Sequence, residues 1–437
     1  VINFVTKKNR EGFEFNFKNS EFENFDRSDY QFGFVYGSSF NSSRTNINIS
    51  YNHYEREPIK ASEDKRMGIS DWRDFPEIAS TEWATTRFRR NSINSPYGQF
   101  DFVDNIKGYE FYKERGLTDS SGEFEIFPSS DPKCLADLGN QSCIAKDTST
   151  KRYNLNQERW VVSDLERDNF QFDLSHEFKN GVEGFTEFSF YKSKTKQNNS
   201  PSAAFSSSKL VVPSSNYWNP FGAKTFADGA INPNRLSEKD APGIPEEGLS
   251  IIIDNYRYVD VGPRKINVEK DTYRILQGFR GSFHNWDWEI AGFISEASSD
   301  DITSNRLSNS LMEQALLIST PEAYNPFNGG GDFDKYLLTG QDGTPSIDGA
   351  IQNAIIDVYR KGKRKLNSID FRFNNVDFIK SPGGFTSIVL GAEYREDSFE
   401  DDRDPRLDGT IQYTDRDGDT FPFVSDVMNS SPTPDNS

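Results

Sequence analysis

Leucine, histidine, methionine and cysteine are scarce in this sequence. Its 437 residues hold 3 His, 3 Met and 2 Cys, and 19 Leu stand against 37 Phe. Helical proteins are normally rich in Leu and Ala, whereas strands favour aromatic and β-branched residues. The composition therefore argues against a helical bundle. Long apolar runs are missing too, which excludes a transmembrane helix. A membrane β-barrel is not excluded, because its strands carry only a weak alternating signal. Positive charge is in deficit: 50 Lys and Arg face 68 Asp and Glu, a net charge of -18. No nucleic-acid partner is expected from such a balance. The three histidines, His53, His176 and His284, are dispersed, and no His-x-x-x-His or Gly-x-Ser-x-Gly occurs. A structural reading of them outweighs a catalytic one, and no enzyme activity or cofactor is expected.

Aromatic residues are abundant, at 14% of the chain. They demand burial in a core or in lipid, which argues against disorder. They recur at every second position. Phe13, Phe15 and Phe17 open the series, followed by Tyr30 to Tyr36, Ile47 to Tyr51, Phe170 to Phe178, and Phe188 with Phe190. Tyr273 to Phe283, Trp286 to Ile294, Ile369 to Phe373 and Ile388 to Tyr394 complete it. These nine segments read as half-apolar strands, each near the ~9–11 residues that cross a membrane obliquely. Gln277 and His176 fall on the apolar parity of their strands and fit it poorly.

Alternation alone does not separate a lipid-facing wall from a soluble sandwich. The connections do. Four are short: 37–44, 179–184, 284–285 and 380–384. Those between them are longer, and three run to roughly 70–110 residues, far beyond the usual ~4–6. In an up-and-down meander this order places every short turn at one end and every long loop at the other. Outer-membrane barrels have that asymmetry, with short periplasmic turns and long extracellular loops. The expected fold is all-β: a partial antiparallel up-and-down transmembrane β-barrel.

Several segments resemble one family. Val1-Ile2-Asn3-Phe4-Val5-Thr6-Lys7-Lys8 is similar to the end of the plug domain in TonB-dependent outer-membrane receptors. The Asn-Pro-Phe segments within 216–222 and 323–329 resemble loops of one branch of those receptors. So do Leu390 to Arg395, Ser425 to Val427, and Ser430 to Asp435. The resemblance implies that residues 1–10 end a plug and that 11–437 begin a barrel of about 22 strands, of which nine are found. It implies an outer-membrane receptor of a Gram-negative bacterium. Such a receptor takes up a scarce ligand (an iron–siderophore complex, cobalamin or a carbohydrate) with energy delivered by the TonB complex. The segment that would contact TonB is absent, and the chain reads as a fragment. Its other partners would be outer-membrane lipid, lipopolysaccharide and the small-molecule ligand. Trp218, Phe221, Tyr324 and Phe327 are the ligand-binding candidates, since rigid aromatics suit a sugar or an aromatic chelator. The plainer reading is that these rings pack the loops on themselves.

Two local features remain. Cys134 and Cys143 lie in a polar stretch without His or further Cys. Pairing them would close a loop worth roughly 2–3 kcal/mol and imply an oxidising compartment. The alternative is two separate thiols. Asp415, Asp417 and Asp419 loosely resemble a calcium loop but lack its bidentate Glu, so a solvated acidic loop is the simpler expectation. A passive porin-like or adhesion barrel, a glycan hydrolase and a soluble lectin-like sandwich are the competing classes.

Overall fold

A computed structural model of the chain describes residues 10–25, 27–85, 88–103, 109–119, 121–139, 141–145, 151–205, 210–329 and 349–436. Nine antiparallel strands form one sheet in chain order. They are β1 (Gly12–Glu21), β2 (Ser28–Phe40), β3 (Thr45–Arg56), β4 (Asp164–Glu177) and β5 (Glu183–Asn199). β6 (Arg264–Phe283), β7 (Trp286–Leu307), β8 (Ile355–Ser381) and β9 (Gly384–Arg403) follow. Each expected strand is present, and each pairs with its neighbours in sequence. The sheet is not closed: β1 and β9 have one neighbour each. Most of the expected plug end, residues 1–9, lies outside the described residues.

The register puts the apolar positions of the nine strands on one face. Phe15, Phe34, Tyr51, Phe170, Phe190 and Tyr273 stand side by side across β1 to β6. One row nearer the short turns, Tyr36, Ile49, Phe172, Phe188, Ile275 and Ile294 do the same across β2 to β7. Phe279, Ile290, Phe371 and Ala392 continue the face to β9. Cross-strand aromatic and β-branched pairs of this kind stabilise a sheet by roughly 0.2–1 kcal/mol each.

The two misfits are accommodated. Gln277 lies opposite Thr186, whose hydroxyl donates to its amide oxygen at 2.6 Å, while its amide nitrogen donates to the Phe185 carbonyl at 3.0 Å. The His176 ring shares a 2.7 Å hydrogen bond with the Thr45 hydroxyl. The opposite face is polar, with Glu183, Arg280, Glu289 and Arg372 forming a row of alternating charge across four strands.

No described layer covers the apolar face: Phe13, Phe15 and Phe17 keep 67%, 59% and 64% of their surface exposed. No described helix is long and apolar enough to cross a membrane, which leaves strands untouched by that test.

Short turns lie at one end of the sheet. The tightest is His284-Asn285, where His284 takes a left-handed φ of 53°. At the other end the long loops, 57–163, 200–263 and 308–354, join the segment after β9 to form a cap. A second sheet crosses loop boundaries there: Ile251–Arg257 of the second loop pairs with Gln99–Phe102 of the first. Helix α1 (Asn309–Leu316) comes from the third loop. Its N-cap is Ser308, whose hydroxyl accepts from the Leu311 amide at 3.1 Å. The main hydrophobic core belongs to this cap, with buried members from Tyr97 to Met428 and none from the middle of the nine-stranded sheet.

Candidate functional site

The cap brings the four aromatic candidates together. Both Asn-Pro-Phe segments fold as the same Asx turn. The Asn219 side-chain oxygen accepts from the Phe221 amide at 2.9 Å, and Asn325 accepts from the Phe327 amide at 2.9 Å. Each turn drives its phenylalanine inward. Phe221 meets Phe102, Tyr112 and Phe124 with ring centroids 5.0, 5.6 and 5.5 Å away, and Phe327 meets Phe100 at 4.9 Å. Tyr324 shares a 3.0 Å hydrogen bond with the Tyr256 hydroxyl. The Trp218 indole donates to the Ala323 carbonyl at 3.0 Å and so ties the two segments to each other. Phe221, Tyr324 and Phe327 are buried, and Trp218 is half-buried against the same core.

A cavity of about 10 Å³ is lined by Trp218, Pro220, Phe327, Ser142, Asn234 and Asn325. That is room for about one water molecule, against the ~300–1,000 Å³ of a small-molecule site. Two larger concavities lie on the nine-stranded sheet. One of about 360 Å³ is bounded by Glu183, Arg280, Asp287, Glu289 and Arg372 near the short turns. The other, about 390 Å³, is a notch in the apolar face around Gly292, between Ile275, Ile294, Ile369 and Tyr394.

Cys134 and Cys143 are both thiols, and Cys143 is buried. They pack against each other beside Phe127. Burial, with Cys134 as a neighbour, pushes the Cys143 thiol well above its ordinary range. Asp415 caps a hairpin turn: its carboxylate accepts from the Asp417 and Asp419 amides at 3.0 and 2.9 Å. These aspartates are not among the described residues that cluster with metal-ligand spacing.

Two further groups were not evident in the sequence. Glu313 on α1 is 2% exposed and accepts the Tyr413 hydroxyl at 2.9 Å, joining the third loop to the segment after β9. Burial pushes its carboxyl up to about 7. The second group is on the apolar-parity face, at the cap-side edge of the aromatic rows. His53 lies directly across from Asp168, and the two side chains meet at 2.8 Å. Glu166 lies two residues before Asp168 on β4, and one ligand atom each from His53, Glu166 and Asp168 falls within 4.8 Å of the others. The register step from Tyr51–Phe170 to His53–Asp168 is the sequence signal that would have located this group.

No protein-family model matches the chain, and no curated protein does. Among solved structures, the chain is similar to the ferric-catecholate import receptor Fiu from E. coli in an open form. That likeness is 9% in identity with a TM-score of 0.20, and it covers 90% of this chain. The chain spans 58% of the length of that receptor.

Proposed function

We propose that this chain is the wall and outer cap of an outer-membrane receptor that takes up a scarce ligand with energy from the inner membrane. The supporting observation is the uncovered apolar face, continuous and in register over nine strands, with a polar face behind it. Water disfavours such a surface at roughly 25 cal/mol per Å², and lipid removes that cost. A soluble sandwich would bury these rings under a second sheet. The open edges at β1 and β9 fit a sheet completed by further strands, because unpaired edges are not tolerated in lipid.

The cap sits at the end with the long loops, which is the extracellular end in this reading. Ligand would enter through rearrangement of the clasp formed by Trp218, Phe221, Tyr324 and Phe327. Residues 1–10 would lead in from a plug that meets the TonB complex. The same reading places Cys134 and Cys143 in an oxidising compartment, where they would pair. Intact-mass measurement on the native protein would then show a mass lower by two hydrogen atoms, taken up by the oxidant of that compartment.

Uptake by cells carrying the full-length parent protein tests the function. Uptake should stop when the proton gradient is collapsed. Uptake that persists would favour the passive porin-like barrel.

A further inference from the structure

We propose that His53, Glu166 and Asp168 bind one divalent transition-metal ion of the zinc type on the outward face of β3 and β4. An imidazole with two carboxylates is a donor set suited to zinc or a neighbouring transition ion, whereas calcium and magnesium prefer oxygen alone. Three protein ligands with a remaining open position is a common zinc arrangement. The ligand atoms already lie within 4.8 Å of one another, so small side-chain rotations bring them around a single ion.

The surroundings hold the donors in place. Ring centroids of Phe32 and Tyr30 stand 5.1 and 5.8 Å from the His53 ring. The Tyr51 hydroxyl donates to Asp168 at 2.6 Å, fixing the carboxylate that also meets the imidazole. Hydrogen bonds of this kind orient ligands at metal centres. Charge points the same way. Glu55, Glu166 and Asp168 converge on His53; on the next strand Lys192 lies across from Asp168, and Lys194 stands 3.8 Å from Glu166. A bound dication would offset the remaining carboxylate repulsion. The site stands on these residues alone and does not depend on the transport reading.

The test is calorimetric titration of zinc chloride into the full chain in detergent. Cys134→Ser and Cys143→Ser are introduced first, so that thiols do not compete. One saturable site is expected. His53→Gln and Glu166→Gln should each weaken it at least tenfold, and Tyr51→Phe should weaken it by a smaller factor. Circular dichroism checks that each variant keeps its strands; Glu166 is half-exposed, so its amide should fold even if the His53 variant does not. X-ray absorption should show only nitrogen and oxygen ligands, at about 2.0–2.2 Å. No saturable binding, or binding unchanged in Glu166→Gln, would overturn the proposal.

Discussion

At Asn219 and Asn325 a single side-chain oxygen decides where a phenylalanine goes. Each Asx turn aims its ring into the cap, and Phe327 there touches Phe100 and is 3% exposed. Phe327→Ala should therefore cost roughly 3–5 kcal/mol of cap stability. A thermal melt followed by near-ultraviolet circular dichroism would register it as an early loss of aromatic signal. The sequence offered these aromatics either as ligand contacts or as rings that pack the loops on themselves, because an Asn-Pro-Phe loop announces a turn but not the partner waiting inside it. For Phe327 that partner, Phe100, comes from a segment more than 200 residues away in the chain. Glu313 was equally hidden, since nothing local marks a helix glutamate as buried. Its folded carboxyl titrates near 7 against an ordinary 4.5. The folded state thus holds a proton that the unfolded state releases. Its contribution is fully present below pH 4.5 and is lost as pH rises through about 7, about 3 kcal/mol in all. Melting temperatures measured from pH 4.5 to 8 should fall more steeply in the native protein than in Glu313→Gln.

The strands of the wall were legible for a physical reason. A strand with one apolar face must alternate, so β1 to β9 wrote their parity into the sequence. Their turns were legible too, because Asn180-Gly181 and His284-Asn285 interrupt that parity at a tight reversal. The cap was not, since its strands run from two to seven residues and pair across loop boundaries. Too few alternations exist in such a strand to define a face. The wall also permits a comparison between two residues on neighbouring strands. Ile275 belongs to the apolar face, between Phe188 and Ile294, while Ser189 faces the polar side opposite Arg274. In lipid, Ile275→Arg should cost roughly 2–4 kcal/mol near mid-membrane, whereas Ser189→Arg should cost less, roughly 0.2–1 kcal/mol from the like charge of Arg274 across the strand pair. Folding yield of the full-length parent into bilayers, read as heat-modifiable migration on a gel, distinguishes the two. Equal yields would mean that the apolar face does not meet lipid.

As a whole the molecule holds its apolar residues in two ways, buried in the cap and exposed along the wall. The cap buries its own rings, from Tyr97 to Met428, and behaves as a water-soluble protein would. The wall leaves Phe13, Phe15, Phe17, Ile369 and Tyr394 at least half exposed and keeps an edge strand with one unpaired side at each end. In water both features promote association, one through apolar contact and the other through edge pairing. Detergent relieves the first but not the second. The isolated chain should therefore sediment as large, heterogeneous species in aqueous buffer. In detergent it should form smaller species that still self-associate through β1 and β9. Asn19→Pro in β1 and Arg395→Pro in β9, each at a position whose amide faces the open edge, should shift that residual association toward monomer. Sedimentation velocity in the two solvents reads the result. A homogeneous monomer in plain buffer would mean that the apolar face is covered in solution, and the chain would then belong among soluble β proteins.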